Sequence, residues 1–232
     1  MGSDGVKVLG AWPSPFVLRV RIALRIKSVA YEFVEENVVV SKSELLLKSN
    51  PVHKQIPVLI HGDKPICESL VIVEYVDEAW PSSGPSILPS HPYDRATARF
   101  WAAYLDTKWF PKLRAILFGG GEETSALEEV TQGLVWLEEA LILKGQNLNF
   151  FGGEKIGYLD IALGSFLAWV RVVEKRSNVS LIDEDKTPNL FKWAHHFSTH
   201  PAVKDVLPQT DKLLDFAQYL IAKLGPSRTT SN

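Results

Sequence analysis

From Pro81 to Pro92 the chain reads Pro-Ser-Ser-Gly-Pro-Ser-Ile-Leu-Pro-Ser-His-Pro, and no other stretch constrains the fold as much. Its four prolines remove backbone donors and fix φ, so neither a helix nor a sheet strand can run through it. The patterns on its two sides differ. Upstream, short apolar runs alternate with helical periods: a strand at Val6 to Ala11, a helix opening at Pro15, a hairpin turning at His61-Gly62-Asp63, and a helix from Glu68 and Ser69 to about Ala79. That alternation marks an α/β unit. Downstream only helical periods appear, over Tyr93 to Phe118, Glu122 to Lys144, Tyr158 to Lys175, Pro188 to Thr199 and Gln209 to Leu224. Leu134, Leu137 and Leu141 repeat at helical spacing, and Lys144-Gly145 supplies a stop. We therefore expect an α/β domain over 1–80, a linker over 81–92 pinned by Ile87 and Leu88, and an all-helical domain over 93–232. With 46% hydrophobic residues, 232 residues suffice for two buried cores.

Trp12-Pro13-Ser14-Pro15-Phe16 joins the first strand to the first helix. Pro15 suits the first helical position and Ser14 the N-cap, where backbone N–H groups and the helix dipole favour negative charge. Taken alone, such a serine is an ordinary cap. A second signal follows about forty residues on: Asn50-Pro51-Val52-His53-Lys54-Gln55-Ile56-Pro57-Val58-Leu59-Ile60, then Lys64-Pro65-Ile66-Cys67-Glu68-Ser69. Pro57 stands at the entry of a strand, where it donates no ladder hydrogen bond.

Together these segments resemble the tau-class glutathione transferases, a plant family of soluble dimeric enzymes. The likeness rests on Trp-Pro-Ser-Pro-Phe, Asn-Pro-Val-His-Lys-Gln-Ile-Pro-Val-Leu and Ile-Cys-Glu-Ser-Leu. It continues through Leu88-Pro89-Ser90, Tyr93-Asp94-Arg95-Ala96, Arg99-Phe100-Trp101-Ala102 and Gly157-Tyr158-Leu159-Asp160-Ile161-Ala162-Leu163, nearly the whole chain. The resemblance implies an N-terminal thioredoxin-like α/β domain with a cis-proline at Pro57, followed by a C-terminal all-helical bundle. It also implies a homodimer that conjugates the glutathione thiolate to hydrophobic electrophiles in detoxification and stress metabolism, with reduction of organic hydroperoxides as a side activity.

The chemistry this implies is that of a thiol that is mostly protonated in water, its pKa being about 8.5. A Ser14 hydroxyl donating to the sulfur, aided by the helix terminus, would stabilise the anion. A shift of two pKa units corresponds to about 2.7 kcal/mol, within reach of one charge-assisted hydrogen bond and a dipole. By motif position Lys42 and Gln55 would take the glycyl carboxylate and the Ile56 backbone the cysteinyl unit, while Glu68 and Ser69 would hold the γ-glutamyl end. Many relatives carry lysine where this chain has Gln55, a change that would weaken glutathione affinity modestly, with Lys54 as the neighbouring cation that would compensate. The second substrate would lie between the domains against Trp12, Phe16, Phe110, Leu113, Arg114, Leu117 and Trp169. Apolar contacts of this kind imply broad selectivity, since burial energy follows area and not functional-group pattern.

Other features point away from competing functions. Net charge is −2, from 25 basic and 27 acidic residues, which gives no bulk pull toward nucleic acid. One cysteine excludes an internal disulfide, and Cys67 reads as a buried thiol at the end of a strand. His196 and His200 lack the glutamate of a zinc-protease motif, and no metal is expected. Gly119-Gly120-Gly121 and Gly152-Gly153 read as turns, because neither precedes Lys-Ser or Lys-Thr. Asn178-Val179-Ser180 matches a glycosylation sequon without a secretory signal, and Met1-Gly2 lacks the Ser or Thr that myristoylation wants at Val6. No apolar run approaches a membrane span, so a cytoplasmic protein is expected. Asp160, at the third position of a helix capped by Gly157, reads as a folding residue, and Arg19 as a structural ion-pair partner. Two alternatives stay open: a non-catalytic, ligandin-like carrier of apolar molecules, and a thiol transferase, which would need cysteine in place of Ser14.

Overall fold

The computed structural model describes residues 5–37, 39–119, 123–145 and 148–224. The Gly120-Gly121 part of the predicted turn, Glu122 and Met1-Gly2 lie outside them. Contacts divide the chain into two compact units. One runs to Leu88 and includes Pro201–Val206; the other comprises Pro89–His200 and the residues from Leu207 onward.

In the first unit the order is β1 (Val6–Gly10), α1 (Pro15–Ile26), β2 (Glu32–Glu35), α2 (Glu44–Ser49), β3 (Val58–His61), β4 (Lys64–Cys67) and α3 (Ser69–Ala79). The strands form one sheet in the order β2-β1-β3-β4, with β1 and β2 parallel and the remaining pairs antiparallel. Side chains alternate between the two faces. Leu9, Val58 and Leu46 of α2 form a buried cluster on one face, joined by Val34, Ile60 and Cys67. Helices α1 and α3 pack with each other and with β1 and β3. Gly10 is required there: a Cβ would stand 2.5 Å from the Val17 side chain.

The stretch after α3 is fixed from within the unit. Asp77 accepts hydrogen bonds from the Ile87 and Leu88 amides at 3.0 and 2.9 Å, and the Lys27 ammonium pairs with it at 2.7 Å. Ile87 and Leu88 are buried, so this proline-rich segment is anchored as expected. Burial works against ionisation of Asp77, but the Leu88 amide, Lys27 and the Ile87 amide together carry its pKa below the ordinary value. Arg25 fastens the late segment by donating to the Pro201 and Ala202 carbonyls and to Asp205.

The second unit holds α4 (Pro92–Tyr104), α5 (Phe110–Phe118), α6 (Glu123–Lys144), α7 (Tyr158–Gly164), α8 (Leu167–Ser177), α9 (Pro188–Thr199) and α10 (Thr210–Leu224). Two helices predicted as continuous are interrupted. Between α4 and α5, Leu105–Trp109 forms a π turn in which the Phe110 amide reaches back to the Leu105 carbonyl. Pro111 has no N–H for the carbonyl four residues back and its ring crowds that carbonyl, which favours a wider turn. Between α7 and α8, the Ser165 hydroxyl donates to the Ala162 carbonyl and the Phe166 amide to Leu163, so the regular ladder lapses. The break places Phe166 at 0% exposure, stacked on Phe110 at 4.5 Å.

Asp160 acts as the folding residue its position suggests. Its carboxylate accepts from the Phe151, Gly152 and Gly157 amides and from the Trp193 indole, all within 2.8 to 2.9 Å. Burial pushes its pKa up to about 6 against those four donors. Glu138 caps α9 in the same manner, accepting from the Asn189 and Leu190 amides.

Candidate functional site

The strand register gathers one set of candidates at a single end of the sheet. Gly10, the last residue of β1, pairs with Glu35, the last of β2. Leu9 pairs with Val58, the first residue of β3, which pairs in turn with Cys67, the last of β4. Ser14 follows β1 by four positions, Ile56 and Pro57 immediately precede β3, and Glu68 and Ser69 follow β4 directly. Three separate candidate segments are thereby delivered to the same end of the sheet.

Ser14 is the N-cap of α1, and its Oγ accepts from the Val17 amide at 3.3 Å. A hydroxyl that accepts in this way keeps its proton for donation elsewhere. Trp12, Ser14 and Phe16 are half-buried, alternating with buried Pro13 and Pro15. The α1 terminus adds the positive end of a helix dipole.

The loop before β3 is built on Asn50, which is 3% exposed. Its Oδ1 accepts from the His53 amide at 3.1 Å and its Nδ2 donates to the Gln55 carbonyl at 3.0 Å. The Lys54 amide closes on the Asn50 carbonyl at 2.8 Å. This holds Gln55 exposed and Ile56 half-buried ahead of Pro57, whose peptide bond is cis. The β1–β3 register ends at Val58, so Ile56 lies outside the ladder. Asn50 drew no notice in the sequence beyond its place in a motif; its signal was an Asn-Pro pair at a helix end.

Glu68 and Ser69 differ in setting. Glu68 is exposed, holds a left-handed φ of 70°, and has His53 Nε2 at 3.8 Å from its carboxylate. Ser69 is buried at the first turn of α3, where its hydroxyl accepts from Arg19 Nη1 at 3.2 Å. Arg19 is fully buried and its guanidinium carbon lies 5.1 Å from the Phe16 ring centre. Arg19 thus joins α1 to the start of α3 through a hydroxyl, with its guanidinium against an aromatic ring. Cys67 bonds to the Ser49 carbonyl, and burial, followed by the charge of Glu68, pushes its thiol up. Lys42 is exposed and immediately precedes Ser43, the N-cap of α2.

The remaining candidates belong to the second unit. Phe110, Leu113, Arg114 and Leu117 recur at three- and four-residue spacing along α5. Phe110 and Arg114 are half-buried, whereas Leu113 and Leu117 are buried. Trp169, 7% exposed, lies 6.2 Å from Phe118, over which Arg114 is placed at 6.0 Å. Burial lowers the pKa of the Arg114 guanidinium. Among the described residues no three His, Cys, Asp or Glu side chains are grouped to hold a metal ion, and no helix is long and apolar enough to cross a membrane.

Comparison with known proteins gives matches across nearly the whole chain. The glutathione S-transferase N-terminal domain model matches residues 4–78 and the C-terminal domain model residues 121–196. Glutathione S-transferase U17 of Arabidopsis thaliana is 58% identical over 225 residues, covering 96% of this chain and 99% of the relative. A tau-class glutathione S-transferase from mango, Mangifera indica, superposes with a TM-score of 0.89 at 60% identity, covering 94% of this chain and all of that one. A rice glutathione transferase solved in complex with glutathione superposes with a TM-score of 0.87 at 37% identity, covering 97% of this chain and all of that one.

Proposed function

The chain belongs to the tau class of the glutathione S-transferases, and from that premise we propose that it binds glutathione along the sheet edge of its first unit and ionises the thiol with Ser14. The observation that carries this reading is the Ser14 oxygen, occupied by the Val17 amide as acceptor while its proton stays available. A thiolate receiving that proton as a hydrogen bond sits where α1 offers positive potential. Ser14 is not the nucleophile.

The rest of the tripeptide follows from charge. Its glycyl carboxylate is met by Lys42 and the Gln55 amide, its cysteinyl unit pairs with the Ile56 backbone, and its γ-glutamyl ammonium faces Glu68. The γ-glutamyl carboxylate takes the Ser69 hydroxyl, which still holds a proton to donate because Arg19 occupies its oxygen. The bound sulfur attacks an electrophilic carbon, forming a C–S bond as the leaving group departs with its electron pair, while the thiol proton passes to solvent. Much of the acceleration comes from holding the two reactants together.

The second substrate is a hydrophobic electrophile. In the first unit Trp12 and Phe16 flank Ser14 with apolar surface, and in the second Phe110, Leu113, Arg114, Leu117 and Trp169 are the proposed contacts. We further propose a cytoplasmic homodimer. The test is turnover of a chlorinated dinitrobenzene with glutathione by the Ser14→Ala variant. Turnover should fall by at least tenfold, with glutathione affinity largely kept. A non-catalytic carrier would bind the aromatic compound but conjugate none, in the parent as in the variant.

A further inference from the structure

β2 ends on Glu35, and the residue directly after it, Glu36, is acidic as well. Glu35 and Glu36 grip different segments. Glu35 Oε1 accepts from the Trp12 amide at 3.0 Å, at the start of the turn that sets Ser14. Glu36, 4% exposed, accepts from the Ser43 hydroxyl at 2.6 Å and from the Ser43 amide at 3.3 Å. Ser43 in turn caps α2 by accepting from Leu46, and Lys42 is the residue before it. The Glu36 amide donates to the Gly10 carbonyl at 2.7 Å, so both carboxylates are referenced to the same end of β1.

A carboxylate near the thiol or the glycyl end of bound glutathione is electrostatically adverse, since it raises the pKa of a thiol and repels the tripeptide's own carboxylates. Its use here must therefore be geometric. Hydrogen bonds to an ionised acceptor are shorter and stronger than neutral ones, and thus suited to fixing a turn. We propose that Glu35 and Glu36 are positioning residues for the glutathione reaction: Glu35 holds the Trp12-to-Ser14 turn and so governs the chemical step, and Glu36 holds the Lys42-Ser43 corner and so governs glutathione binding. This rests on the roles proposed above for Ser14 and Lys42.

The two arms separate in steady-state kinetics. Glu35→Ala lowers kcat by about three- to tenfold and leaves the glutathione KM within about twofold, as loss of an interaction made only in the transition state requires. Glu35→Gln, which keeps the acceptor oxygen, restores kcat. Glu36→Gln and Ser43→Ala each raise the glutathione KM by about three- to tenfold while kcat at saturation stays within about twofold, as loss of ground-state binding requires. A purely structural role would lower Tm and leave both parameters of the folded enzyme at parental values, and that result overturns the inference. Ser14→Ala and Lys42→Ala serve as references. If either reference loses its parameter while the matching glutamate variants keep theirs, the positioning role is wrong. If a reference variant itself behaves as the parent, the fault lies in the role assigned to Ser14 or Lys42, and the arm built on it falls with it.

Discussion

Gln55 stands exposed on a loop whose shape is set by the side chain of a neighbour, Asn50. An amide at that position can donate to a carboxylate but adds no charge, and a solvent-exposed ion pair is worth about 0.2–1 kcal/mol over it. Gln55→Lys should therefore lower the glutathione KM by about 1.5- to 5-fold; an unchanged KM in titrations of glutathione at fixed electrophile removes Gln55 from the site. Asn50 carries more weight. Deleting its amide abandons the His53 amide and the Gln55 carbonyl at once, so Asn50→Ala should cost about 1–3 kcal/mol in urea denaturation and raise the glutathione KM. The motif marks Gln55, Ile56 and Glu68 as expected glutathione contacts from the sequence alone, and the strand register brings Ile56 and Glu68 to one end of the sheet. The motif was silent on Asn50 because the residue works through hydrogen bonds to backbone, which leave no mark on composition or periodicity.

At the scale of elements, the position of Ser14 depends on how closely α1 approaches β1. Gly10 permits that approach, and a Cβ there would press on both methyl groups of Val17, at 2.5 and 2.9 Å. Gly10→Ala should destabilise the protein by about 1–3 kcal/mol and reduce turnover as α1 shifts. Trimming the neighbour in Gly10→Ala with Val17→Ala should recover part of both; a double variant no better than the single one would place the strain elsewhere. Most helices were legible, because a 3.6-residue apolar period is a strong local signal. The interruptions were not. A π turn keeps its residues helical to within one hydrogen-bond step, and the break at Ser165 arises from a hydroxyl serving a carbonyl of its own turn, neither of which disturbs the pattern of apolar positions.

For the molecule as a whole, the fold class was readable from the change of pattern across Pro81 to Pro92, but the ties that fix the first unit were not. Arg25 finds its carbonyl and carboxylate partners 176 to 180 positions downstream, beyond any local rule. Lys27 and Asp77 form an ion pair with side-chain exposures of 0% and 9% that holds α1, α3 and the segment to Leu88 together. Because the folded pKa of Asp77 lies below its ordinary value of 3.8, its contribution to stability is present above that value and is lost as pH falls through the depressed one. Asp77→Asn should lose about 3–5 kcal/mol at neutral pH, by leaving the Lys27 ammonium buried without its carboxylate. Its stability should also change less than the parent's as pH falls through the carboxylate range, and parallel stability curves for the two proteins would contradict that assignment. The task proposed for this scaffold is to hold one hydroxyl, that of Ser14, at the start of α1 as a hydrogen-bond donor to the thiolate, and the most direct test is a pH titration of the ultraviolet thiolate absorbance of glutathione bound to the parent and to Ser14→Ala. The parent should show a thiol pKa about two units below that of free glutathione, and the variant a value close to the free one; equal values for the two proteins would contradict the central role of Ser14.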